Sequence, residues 1–166
     1  MKHRRTPFDL ILEALALGGL VAGGGLILAS WNNLPDTIPT HFDLTGSPNS
    51  WGASWWLFVL SGAGVASFVL LIFLTRIAHY FEFPWSAMGE VARNQQRYAI
   101  RLLQTLNILL QWLLASIAWI SVRAATAPGY SVPGWLFPLF LFLIFTAIGC
   151  YLDVARPHRP GPDGRR

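Results

Sequence analysis

Charge is scarce in this chain: Asp, Glu, Lys and Arg make up only 12% of its 166 residues, against about 25% in a typical soluble domain. A surface so poor in charge excludes an ordinary water-exposed globule. Lysine is nearly missing as well, with Lys2 the only one, so no apolar stretch holds a lysine for a retinal Schiff base. The single cysteine, Cys150, lies inside an apolar run; it can form no intrachain disulfide and has no spaced partner for a metal. HExxH, CxxC, the nucleophile elbow and the phosphate-binding glycine loop are all absent, which removes the catalytic classes those motifs carry. His3, His41, His79 and His158 all fall outside the long apolar runs, which disfavours axial histidine ligation of a buried haem. No cofactor is expected.

What the chain has instead is apolar length. Hydrophobic residues make up 54% of it, and a helix needs about 20 largely apolar residues to cross a bilayer core. Four runs meet or approach that length: Leu10 to Trp31, Trp55 to Thr75, Leu102 to Val122 and Trp135 to Leu152, with Glu13 the only charge in their interiors. The first follows Lys2, Arg4 and Arg5 like a signal peptide, but it is longer than a signal peptide's apolar core. The expected fold is therefore an all-α membrane protein, a four-transmembrane-helix bundle in one domain over 1–155. A structured loop covers 32–54, and the basic tail 156–166, rich in Pro and Gly, has the composition of a disordered end.

The placement of basic residues gives the expected orientation, because Lys and Arg in short loops stay on the cytoplasmic side. Of the twelve Lys and Arg, all but Arg123 precede the first run, lie between the second and third, or follow the fourth. This predicts both termini in the cytoplasm and the 32–54 loop outside, as for a multi-pass protein of a bacterial plasma membrane. It also accounts for the net charge of +4 without nucleic acid, which is not an expected partner. Eight Trp and eleven Phe, many near run ends, fit the aromatic belts at headgroup level. Between the second and third runs, Pro84 and Ser86 suit a helix start. Helix 3 is expected to begin outside the membrane, with Phe81, Phe83 and Trp85 at the interface.

Lipid offers no hydrophobic drive between helices, so contacts rest on small residues and interhelical hydrogen bonds. Gly19 and Gly23 in the first run, and Gly62 and Ala66 in the second, predict a tight hairpin of helices 1 and 2. Along helix 3, Arg97, Arg101, Gln104, Asn107 and Gln111 follow at steps of 4, 3, 3 and 4 and share one face. Amides without partners are costly in hydrocarbon, so this face is expected to point inward. It serves as interhelical glue or, as the alternative, lines a polar site.

The 32–54 loop reads as folded. Pro35, Pro39 and Pro48 fix backbone angles, and Gly46 and Gly52 permit turns. Ile38, Thr40, Phe42 and Leu44 fall on one side of an extended segment, with His41 and Asp43 on the other. The candidate binding residues are Pro39, His41, Phe42, Asp43, Gly46 and Trp51. His41, Asp43 and Asp36 form a loose trio of metal-ligand types, but lack the fourth ligand and supporting shell of a built site. No metal is assigned, and His41 is expected to hydrogen-bond the loop backbone or helix ends.

Leu34, Pro35, Ile38, Pro39, Thr40, His41 and Phe42, followed by Gly46, Pro48, Trp51 and Gly52, resemble the N-terminal domain of unknown function of SdpI-type immunity proteins. The resemblance covers about residues 10 to 75. It implies two membrane helices flanking an extracytoplasmic loop, and a role in protecting against, or sensing, a toxic peptide.

The leading expectation is thus a non-enzymatic binding module whose partners are the bilayer and a peptide or membrane protein. The alternatives are a structural accessory subunit of a larger complex, or a small transporter or intramembrane enzyme using the helix 3 stripe. A homodimer is open under the first.

Overall fold

The computed structural model describes residues 6–43, 46–78, 90–127 and 129–154, with 90–95 described as backbone only. Among them are four helices, each long and apolar enough to cross a membrane: α1 Pro7–Ser30, α2 Trp56–Ile77, α3 Glu90–Thr126 and α4 Leu136–Val154. The chain is accordingly a multi-pass membrane protein by the length and composition of its helices. Phe81, Phe83, Pro84, Trp85 and Ser86, and the tail beyond 154, lie outside the described residues.

Local chemistry starts α1 earlier than the apolar run suggests. Thr6 caps the helix in an extended conformation, Pro7 occupies its first turn, and Asp9 completes a capping box. The Asp9 carboxylate accepts from the Thr6 amide at 2.8 Å, while the Thr6 hydroxyl takes the Asp9 amide at 3.3 Å. Two otherwise orphaned helix-end donors are satisfied in this way. At 37 residues, α3 is about 55 Å long at 1.5 Å per residue, far beyond a hydrocarbon core. Gln96–Thr126 within it is long and apolar enough to cross a membrane.

α3 is the hub. It packs most extensively against α1, then α2, then α4, while α1 and α2 meet less closely. This corrects the expected α1–α2 hairpin. A Cβ on Gly19 would lie 3.0 Å from the Trp112 backbone nitrogen, and one on Gly23 would lie 3.1 Å from the Ala115 Cα. These glycines let the α1 backbone approach α3, not α2. Gly62 has open space around it and Ala66 is exposed. The α2 glycine that packs is Gly64, whose Cβ would meet Leu20 of α1 and the Gln111 amide of α3.

The loop between α1 and α2, expected to be folded and to contain an extended segment, is a β-hairpin. After a short 3-10 turn, Trp31–Asn33, strands β1 Thr37–Phe42 and β2 Pro48–Ala53 pair antiparallel. An all-α description therefore needs one β-hairpin added. The hairpin sits on a cluster of Ile27, Ile38, Leu57, Ala118 and Val122, one or two side chains from each of α1, β1, α2 and α3.

Candidate functional site

The turn of the hairpin is built by Asp43. Its amide donates to the Ser47 carbonyl at 2.9 Å, its carbonyl accepts from Gly46 at 3.0 Å, and its carboxylate accepts from the Ser47 amide at 2.9 Å. A short acidic side chain bonding the backbone ahead of it is a turn device. Asp43 thus shapes the loop. Gly46 has φ +83°, a left-handed conformation that glycine adopts at little cost. A Cβ there would also collide with the Val132 carbonyl. The Gly46 carbonyl accepts from the Val132 amide at 3.0 Å, tying the turn to the α3–α4 connection.

Other loop candidates separate into framework and surface. Pro39 is fully buried, Phe42 half-buried, and Ile38 belongs to the core. His41, Asn49, Ser50 and Trp51 face out, Trp51 with 59% of its surface exposed. The expected strict alternation fails because the register shifts between Pro39 and His41 and again before Phe42; each shift rotates the following side chains toward the other face. Thr40 consequently lies over Gly52, its methyl 2.8 Å from where a Cβ would be. No hydrogen bond of the His41 imidazole is seen among the described residues, and its side chain is exposed. Among the described residues no three His, Cys, Asp or Glu come together to hold a metal ion, so Asp36, His41 and Asp43 are not a gathered trio.

The helix 3 stripe divides into parts. Arg97 is exposed, Arg101 half-buried, and Gln104, Asn107 and Gln111 are buried. Sequence reading missed their chief partner, Asp9, which is 2% exposed. Asp9 meets the Arg101 guanidinium at 3.5 Å and accepts from the Gln104 amide at 3.4 Å. Arg101 also stacks over the Phe8 ring, 4.1 Å from its centre. Farther along, the Gln111 amide donates to the Ser67 hydroxyl at 3.2 Å and to the Asn107 carbonyl oxygen at 3.3 Å. The stripe therefore ties α3 to α1 at one level and to α2 at another. Thr6 three residues before Asp9 is the capping pattern that would have flagged this carboxylate.

Two acceptors in this network, Gln104 Oε1 and Gln111 Oε1, are buried and make no hydrogen bond among the described residues. Each residue borders a small cleft. One of about 200 Å³ is lined by Glu13, Thr75, Gln104 and Asn107 among apolar neighbours. The other, about 240 Å³, lies between Gly19, Gly23, Gly64 and Gln111.

Compared with known proteins, residues 19–65 match the model of a domain of unknown function, DUF1648. The match runs from the glycines of α1 through the hairpin to the first half of α2, and excludes α3 and α4. No curated protein and no solved structure matches the chain.

Proposed function

We propose that this is a non-enzymatic binding module of a bacterial plasma membrane, whose hairpin faces the extracytoplasmic side and recognises a peptide or membrane-protein partner. The observation that carries the reading is the division of labour within the hairpin. Ile38, Pro39 and Gly46 hold it against three helices and the α3–α4 connection, while His41 and Trp51 are presented outward. A loop fixed by its scaffold spends little entropy when it binds, and exposed Trp is a frequent anchor in interfaces. The DUF1648 match covers this unit. The loop's resemblance to SdpI-type proteins favours immunity against, or sensing of, a toxic peptide. Both termini in the cytoplasm follow from the bias of Lys and Arg.

The test is to place a photocrosslinking amino acid at Asn49 and irradiate native cells. A discrete extracytoplasmic adduct is expected, falling at least tenfold in His41→Ala/Trp51→Ala with the melting temperature unchanged. An adduct that persists in the double variant, or none at all, would refute the reading.

A second reading, a small transporter or intramembrane enzyme, is favoured by the two unpartnered amide oxygens, which in hydrocarbon call for a guest. It predicts that Gln104→Leu or Gln111→Leu abolishes activity while the bundle still assembles.

A further inference from the structure

Among the described residues, the hairpin leaves one strand edge open. The bond from the Ser54 amide to the Asp36 carbonyl, 3.0 Å long, sets the phase of the ladder. Antiparallel pairs alternate between those that exchange hydrogen bonds and those that do not. Ile38 and Gly52 are therefore a bonded pair, whereas Thr37 with Ala53 and Pro39 with Trp51 are not. Pro39 has no N–H to give and stands where none is needed. The main-chain N–H and C=O of Trp51 and Ala53 consequently point away from β1, onto the outer edge of β2.

The two outer edges are not alike. That of β1 carries Pro39, buried, and the strand runs against α3. The edge of β2 lies beside exposed Asn49, Ser50 and Trp51, and Pro48–Ala53 contains no charged residue. Among the described residues no main-chain bond from outside the hairpin reaches Trp51 or Ala53. Sheet proteins blunt open edges with lysine, inward charge, proline or a bulge; the register shift and proline of β2 lie at Pro48–Asn49, and from Ser50 to Ala53 the strand has no charge or proline.

We propose that this edge is a self-association surface, on which the β2 strands of two copies pair antiparallel about a two-fold axis midway between their Gly52 residues. In that register Trp51 of each copy lies opposite Ala53 of the other, and the four outward donors and four outward acceptors are matched in four hydrogen bonds. The two Gly52 residues face each other across the axis in a non-bonded pair, where strands approach to about 4.5 Å between Cα atoms. An uncharged strand meets its own copy without like-charge repulsion. Copies inserted in one direction in one bilayer already hold their edges at one depth, so most of the orientational cost of pairing is met beforehand. A free extended peptide has no such advantage. This pairing uses the backbone edge, whereas partner recognition uses the side chains of His41 and Trp51, so either holds without the other.

The test uses the full-length protein with Cys150→Ala, as two differently tagged copies carrying Ser50→Cys and Ser54→Cys. In the proposed register these positions form a non-bonded pair across the axis. Mild oxidation of native membranes is expected to join the two tags. Copies both carrying His41→Cys are expected to give at least tenfold less product. Adding Ala53→Pro, which removes an outward N–H without touching the ladder to β1, is expected to lower the 50–54 product at least tenfold. Should that variant melt lower, Trp51→Lys, which sets like charges on both strands, is expected to do the same. The proposal is overturned by no 50–54 product, by equal yield from His41→Cys, or by indifference to both edge substitutions. Slow hydrogen exchange at Trp51 and Ala53 in a preparation shown to be monomeric would also overturn it, assigning the edge to another occupant.

Discussion

The faces that α3 turns to α1 and to α4 are held by different means. Toward α1, glycines bring the backbones close, and a carboxylate, a guanidinium and an amide are joined in the interface. Toward α4 there is no comparable device: α4 has no buried residue, and Phe142 and Phe145 are more than 60% exposed. Both α1 and α4 are apolar enough to span a membrane, so hydrophobicity does not decide which one is held. In lipid, large apolar side chains gain little by leaving the solvent, whereas close backbone approach and polar partners are gained only against another helix. The α1 seam is specified; the α4 contact is permissive.

That contrast is open to attack, beginning where the expected effect is largest. Asp9→Ala removes the carboxylate half of the capping box and leaves Arg101 and Gln104 without their shared acceptor. The Thr6 amide loses its acceptor, at about 0.5 to 1 kcal/mol, while the Thr6 hydroxyl still caps the helix. The orphaned hydrogen-bonded groups add about 1 to 3 kcal/mol, with the ion pair counted low because Arg101 is partly solvated. A loss of about 2 to 4 kcal/mol is expected in denaturant-dependent unfolding in micelles or nanodiscs; a loss under about 1 kcal/mol would mean that the seam does not depend on its polar level.

Gly19→Leu is expected next, at about 1 to 3 kcal/mol, because the added side chain meets the Trp112 and Gln111 backbone. Gly62→Leu, with open space around it, serves as the matched control and should be near neutral. Equal losses at the two glycines would restore the α1–α2 hairpin that the glycine spacing suggests.

Gln111→Leu removes two hydrogen bonds but also one unpartnered oxygen. Only the bond to Ser67 is interhelical, the one to Asn107 lying within α3; interhelical bonds in membranes are worth about 0.6 kcal/mol, so a net loss under about 1 kcal/mol is expected from the same unfolding measurement. A larger loss would show that the orphaned oxygen has a partner in the bilayer. Smallest of all is Phe142→Ala on α4, exposed by 66%, for which a change within about 0.5 kcal/mol is expected. A clear destabilisation there would reveal a neighbour for α4 in the assembled protein.

Within the hairpin the legible and the hidden are interleaved. Pro39, Gly46 and Trp51 stand out in the sequence as a folded loop, but residue type does not say which of them is framework. Gly46 owes its place to a chain segment more than eighty residues away, through Val132, and no local pattern reports that. The alternation of β1 was readable, yet the two register shifts change which face Thr40 and His41 take. On α3, the steps from Gln104 to Gln111 placed three amides on one inward face. Their partners were not legible, because Asp9 and Ser67 lie on other helices and only their height along the bundle brings them level.

Composition and period alone determined that this chain has four membrane-length helices, a folded loop after the first, and a polar face on the third. Those follow from local physics: apolar length against bilayer thickness, proline and glycine against backbone freedom, 3.6 residues against a turn. Which helix is the hub, which glycines are contacts, and where the carboxylate of Asp9 is satisfied were decided only in three dimensions. Such choices depend on which surfaces meet, and a surface's partner is a property of the whole assembly of helices rather than of any one segment.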